Sequence, residues 1–133
     1  PGVFSVGEWN AGVLICYESI FSPLSRALAL SGAQILLNLS SDVWFGDPGS
    51  LVGTFFLPQH PAHLVLRAVE NRMPVARAGN RGSSLVLDPL GRRVVEAGPS
   101  VGGLLEARAT FRHGTTLFAR IGGWIGPMVA ALA

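Results

Sequence analysis

The sequence predicts an α/β domain built on a strand–helix–strand crossover. Three observations predict it: two short apolar runs at 13–15 and 34–39, an amphipathic stretch between them at 23–30, and a spacing that suits a right-handed connection between neighbouring strands. Hydrophobic residues make up 49% of the 133 positions and charged residues 14%, with a mean hydropathy of +0.44. That is ample apolar material for one core, and greasier than an average soluble domain.

The first strand, 13–15, ends abruptly at Cys16. The helix at 23–30 places Ala27, Leu28 and Leu30 on an apolar face and Arg26 outward, with Gly32 positioned to end it. Residues 34–39 form the second buried strand. Residues 40–58 are rich in Gly, Pro, Asp and aromatics and read as a long irregular loop, a length typical of lids and binding loops. A helix follows at 61–72, with Leu64, Val65, Ala68 and Val69 apolar and Arg67, Glu70 and Asn71 polar. Residues 74–78 and 83–87 read as strands joined by the turn Gly79-Asn80-Arg81-Gly82. Asp88-Pro89-Leu90-Gly91 is a tight turn into a strand at 92–96, and 104–107 reads as one more strand.

Residues 121–133 are uncharged and apolar. A membrane span needs about 20 such residues, so with Trp124 near its start this stretch reads as the opening turns of a span that continues further. The alternative is an apolar helix packed on the domain. The chain begins at Pro1 and ends inside that stretch, so it is expected to be a piece of a longer protein. The expected division is a domain at 1–117 and the start of a transmembrane helix at 118–133.

All ten basic residues are arginine, and the net charge of +2 is dispersed along the chain. No basic stripe for nucleic acid is expected. Neither a secretory leader nor a phosphate-cradling glycine loop is expected from these residues.

Cys16 is the only cysteine, so it cannot close a disulfide within the chain. It is either a small buried hydrophobe or a reactive thiol. Its place at a strand-to-helix junction favours reactivity, because such a corner exposes a nucleophile beside unpaired backbone N–H groups. The segment Ser40-Ser41-Asp42-Val43-Trp44-Phe45-Gly46 leaves the second strand on the same side, where open α/β sheets bind ligands. Trp44, Phe45 and Gly46 are therefore candidates for an apolar substrate wall, with core plugging as the alternative. His60 and His63 share a helix face, but no third metal ligand is evident and His113 lies far along the chain; no metal and no cofactor is expected.

Several short motifs in order carry a resemblance: Ile15-Cys16-Tyr17-Glu18, Asn38 through Gly46, Gln59-His60, Arg67 with Glu70 and Arg72, Arg77 with Asn80, and Gly82-Ser83. Together they resemble the apolipoprotein N-acyltransferases, the membrane-bound branch of the nitrilase (carbon–nitrogen hydrolase) superfamily. The resemblance implies the C-terminal portion of an α-β-β-α sandwich. It also implies transfer of an acyl chain from a phospholipid donor, through a thioester on Cys16, to the amino-terminal diacylglyceryl-cysteine of an apolipoprotein acceptor. The setting it implies is the bacterial inner membrane, with the domain on the periplasmic face. Tyr17 would offer a backbone N–H to the oxyanion, and Glu18 would orient a lysine or pair with an arginine such as Arg26 or Arg77. Trp44 and Phe45 would gate the acyl chain, and Glu70, Arg72, Arg77 and Asn80 would pair within the scaffold. The glutamate base and oxyanion lysine of the family are expected upstream. This chain has no lysine, and Glu8 alone among its acids precedes Cys16, so the chain alone is expected to be inactive. A soluble nitrilase-type amidase and a non-catalytic nitrilase-like module are the alternatives.

Overall fold

The computed structural model describes residues 2–99, 102–111 and 114–132, without the side chains of 125–129 and 132. Six strands form one mixed sheet in sequence order: β1 (Val3–Val6), β2 (Trp9–Ile15), β3 (Ile35–Ser41), β4 (Val75–Asn80), β5 (Ser84–Leu87) and β6 (Arg93–Ala97). The central strands β2, β3 and β4 run parallel, and the outer pairs are antiparallel. Helix α1 (Ser22–Leu30) makes the β2-to-β3 crossover, α2 (Leu51–Asn71) makes the β3-to-β4 crossover, and α3 (Leu117–Leu132) follows the sheet. The expected α/β class and its strand–helix–strand unit are present.

Period-two alternation sends Leu14, Leu36, Val75, Leu85 and Leu87 to one sheet face, where they meet Leu28 and Ala29 of α1 and Leu64 and Ala68 of α2. The opposite face carries Ile15 and Leu39, both half exposed, above a groove of about 280 Å³ lined by Leu37, Ala76, Val86 and Leu105. The described residues thus form two layers, helices over one sheet face. The second sheet of an α-β-β-α sandwich is not among them.

Several expectations are corrected. The first strand is longer and belongs to a hairpin: β1 pairs with β2 across the turn Gly7-Glu8, and the exposed alternation of that edge hid it from an apolar-run criterion. The irregular loop at 40–58 shrinks to a connection, because α2 begins at Leu51, capped by Ser50 Oγ accepting from Gly53 N–H at 3.0 Å. Pro58 and Pro61 lie inside that helix, where each removes an N–H donor and would ordinarily end it. Residues 104–107 run beside the sheet without strand pairing.

The expected start of a transmembrane helix at 118–133 is also not supported. Among the described residues no helix is long and apolar enough to cross a membrane. The 16 residues of α3 instead begin by docking on the domain. Ala119 is fully buried, Arg26 Nη2 donates to the Arg120 carbonyl at 3.1 Å, and Thr116 Oγ1 donates to the Glu70 carbonyl at 2.6 Å. Ala133 and the chemistry at His113 lie outside the described residues.

Candidate active site

The parallel strands β2, β3 and β4 end on one side of the sheet, and the candidate site is built there. At the end of β2 the chain turns sharply into a 3₁₀ turn, Cys16–Ile20. Cys16 adopts φ = 50°, a left-handed conformation that costs a non-glycine residue roughly 1–2 kcal/mol. Glu18 folds back so that its Oε2 accepts from Ile15 N–H at 2.7 Å, and Ser19 Oγ donates to the Cys16 carbonyl at 3.1 Å. The thiol residue is half-buried and free of any disulfide.

Beneath this corner lies a closed ring of four buried side chains. Asn38, on the inward face of β3, donates from Nδ2 to the Cys16 carbonyl at 3.3 Å and to the Leu14 carbonyl at 3.1 Å. Arg77, its neighbour on β4, donates to Asn38 Oδ1 at 2.7 Å, to the Ser83 carbonyl at 3.0 Å, and to Asp42 Oδ2. Asp42 Oδ1 also accepts from Ser40 Oγ at 2.8 Å and lies 2.9 Å from His60 Nδ1. His60 Nε2 lies 3.2 Å from the Cys16 carbonyl oxygen, which closes the circuit. Burial alone would raise the Asp42 pKa. The hydrogen bonds from His60 and Ser40 and the Arg77 charge outweigh it, so the carboxyl falls from 3.8 to about 2.

His60 reaches the ring because α2 presents Leu57, His60, Leu64, Arg67, Ala68 and Asn71 along one buried stripe. About two turns further on, Arg67 pairs with Glu70 and donates to the Ile20 carbonyl at 2.9 Å, tying α2 to the end of the cysteine turn.

Aromatic groups gather beside the thiol corner. The Tyr17 ring lies 5.3 Å from His60 and 6.3 Å from Phe45, and Phe45 stacks on Phe56 at 6.1 Å. With Ile20, Gln59 and His63 they line a small cavity of about 80 Å³. The Phe45 ring lies 5.6 Å from that of His60. Trp44 is 89% exposed, so it neither plugs the core nor lines the cavity. Gly46 takes φ = 80° and ends the short 3₁₀ turn Val43–Phe45.

Glu18 pairs with neither Arg26 nor Arg77; it closes its own turn. Of the four expected scaffold residues, Arg77 and Glu70 are paired as described, whereas Arg72 and Asn80 are exposed. His60 and His63 both line the small aromatic cavity, and the ring nitrogens of His60 face Asp42 and the Cys16 carbonyl. Among the described residues no cluster of three potential metal ligands occurs. Sequence reasoning missed that Asn38, Asp42, His60 and Arg77 form one unit. The available signal was a polar residue at an inward strand position, Asn38 two after Leu36 and Arg77 two after Val75.

A family model described as carbon-nitrogen hydrolase matches residues 1–112. The chain is 38% identical over 128 residues to an apolipoprotein N-acyltransferase from Gloeobacter violaceus, covering 96% of this chain and 23% of that protein. It is 38% identical over 119 residues to the enzyme of the same name from Rhodopseudomonas palustris, covering 90% and 21%. The chain thus spans less than a quarter of the length of these curated relatives. Among solved structures, an amidase from Nesterenkonia sp. AN1, described with an acetamide moiety covalently added at its active-site cysteine, superposes with a TM-score of 0.59 at 29% identity, over 77% of this chain and 38% of that one. A carbon-nitrogen hydrolase from Helicobacter pylori shares the fold, with a TM-score of 0.63 at 18% identity over 70% and 38%.

Proposed function

Because the chain belongs to the carbon–nitrogen hydrolase family, we propose that it carries the nucleophile of an apolipoprotein N-acyltransferase and that Cys16 is that nucleophile. The observation that supports this is the left-handed Cys16 at the carboxyl end of a central parallel strand, in a chain 38% identical over 96% of its length to a protein of that name.

The reaction divides into two transfers. The Cys16 thiol gives its proton to a general base as its sulfur attacks the ester carbonyl carbon of a phospholipid. The tetrahedral oxyanion collapses, the ester C–O bond breaks, and the lysophospholipid alkoxide leaves with that proton, which gives a thioester on Sγ. The amino group of an apolipoprotein's diacylglyceryl-cysteine then attacks the thioester carbonyl, loses a proton to the base and expels the thiolate. An amide and the free thiol result.

Within this chain, the Tyr17 N–H lies in the first turn of the 3₁₀ segment and lacks an intrahelical acceptor, so it is suited to receive the oxyanion. Glu18 shapes that turn through Ile15 N–H. Tyr17, Phe45 and Phe56 offer apolar surface for the acyl chain, with Trp44 projecting from the same loop. The glutamate base and oxyanion lysine come from outside this chain, which has no lysine. The phospholipid donor and apolipoprotein acceptor place the reaction at the bacterial inner membrane, with the domain on its periplasmic face.

The test uses the intact protein with labelled phospholipid. A hydroxylamine-sensitive acyl adduct forms and disappears in Cys16→Ala; an adduct that persists in the variant overturns the assignment. The likeness to a solved amidase favours one second reading, hydrolysis of a small amide by the same thiol. Turnover of a short aliphatic amide without any phospholipid-derived adduct would select it.

A further inference from the structure

The geometry points to His60 as a positioning residue for the Cys16 nucleophile: it holds the Cys16 carbonyl, and through that peptide the reactive corner. The inference rests on the reading of Cys16 as nucleophile and extends it to a side chain 44 positions away.

A backbone carbonyl oxygen has two lone pairs and in most turns meets one donor. The Cys16 carbonyl, already within the 3₁₀ turn, meets three side-chain donors as well, from three elements: Ser19 Oγ at 3.1 Å, Asn38 Nδ2 at 3.3 Å and His60 Nε2 at 3.2 Å. This peptide follows a residue at φ = 50°, which would relax toward an ordinary conformation if left unheld. The peptide unit is planar and trans, so a carbonyl held inward by the ring sets the Tyr17 N–H outward, on the opposite side.

The three donors are not equivalent. Ser19 belongs to the same short turn and moves with it. Asn38 sits on the sheet. His60 alone reaches the carbonyl from α2, the helix that also lines the aromatic cavity. Its ring is itself oriented by Asp42, whose carboxylate is held by Arg77 and Ser40. The Cys16 carbonyl and the ionised Asp42 carboxylate can both only accept, so the ring donates to both at once only with a proton on each nitrogen.

Three variants of the intact protein separate positioning from bulk stability: His60→Ala, His60→Gln and His60→Asn. Glutamine extends an amide N–H₂ to about the place of Nε2, near the Cys16 carbonyl. Asparagine reaches only about as far as Nδ1, facing Asp42. The measurement is the rate of acyl-adduct formation against phospholipid concentration, with thermal unfolding alongside. His60→Ala lowers the saturating rate by roughly 100-fold, the scale of a small misplacement of a reacting group, with little change in the half-saturating concentration. His60→Gln recovers most of the rate and His60→Asn does not.

Equal rates in the glutamine and asparagine variants overturn the proposal, as does a loss confined to half-saturation. If the alanine variant fails to fold, the glutamine–asparagine pair still decides. The nucleophile reading fails separately, when Cys16→Ala keeps its adduct. An adduct that vanishes in Cys16→Ala but forms at the wild-type rate in His60→Ala overturns only the role of His60.

Discussion

Arg77 Nη1 donates to Asn38 Oδ1 at 2.7 Å, between residues that the β3–β4 register places side by side. One inward position earlier on each strand stand Leu36 and Val75, fully buried in the hydrocarbon core. The same sheet face therefore changes from apolar to polar within two residues, just where the parallel strands end. Packing holds the lower rung, and charge and hydrogen bonds hold the upper one.

That upper rung has a large stability consequence. Arg77→Met leaves the buried Asp42 carboxylate without its cation, and removal of one partner of a buried pair costs about 3–5 kcal/mol. Denaturant unfolding of the domain within the intact protein measures it. A loss below about 1 kcal/mol would show that His60 and Ser40 suffice to hold Asp42.

Acid sensitivity follows from the same carboxylate. Asp42 titrates at about 2 in the folded protein against 3.8 ordinarily, so folding favours its ionised form. The associated stability is fully present above about pH 4 and is lost as pH falls through about 2; the shift is worth roughly 2 kcal/mol. Stability measured from pH 5 to pH 2 falls in the wild type, and Asp42→Asn removes that part of the slope.

Gly82 is required for a reason of space. A Cβ there would overlap the Asp42 carboxylate, which is locked by Arg77 and His60 and cannot yield freely. Gly82→Ala is expected to destabilise by about 1–3 kcal/mol, as overpacking does, and to slow acyl-adduct formation together with stability. A variant with wild-type melting and rate would show that the β4–β5 turn can move aside.

Backbone strain at Cys16, the proposed nucleophile, predicts an ordering in the stability of two of its variants. At φ = 50° glycine is unstrained and alanine is not, so Cys16→Gly should be more stable than Cys16→Ala by about 1 kcal/mol. Thermal unfolding of the two decides; an alanine variant at least as stable as glycine would place no strain at the corner.

Trp44 offers the opposite dissociation. It is 89% exposed, so Trp44→Ala should change stability by less than about 0.5 kcal/mol. Acyl-adduct formation from phospholipid should fall, while alkylation of Cys16 by a small soluble reagent stays unchanged. Equal loss in both assays would mean that Trp44 shapes the thiol corner itself.

Much of the fold is legible in the sequence because local rules suffice for it. The crossover around 23–30, the turn at 88–91 and the strands beside it follow from period and turn chemistry, whereas the turn expected at 79–82 narrows to Arg81 and Gly82 because Gly79 and Asn80 pair within β4. At the 88–91 turn, Gly91 N–H donates to the Asp88 carbonyl at 2.9 Å as the motif demands. The start of α2 is not legible, because Pro58 and Pro61 signal a break that the Ser50 cap and the buried stripe override. The edge hairpin is not legible either, since its exposed alternation lacks an apolar run.

By itself the sequence determined the α/β class, the lone thiol at a strand end and the aromatic segment that faces it, all properties of contiguous residues. Only the tertiary structure decided how Asn38, Asp42, His60 and Arg77 meet. They come from two strands, a short connection and a helix, and each alone reads as a polar residue on an apolar face. The parallel register of β3 and β4 and the packing of α2 bring them within hydrogen-bonding distance, and burial then makes every one of those bonds obligatory.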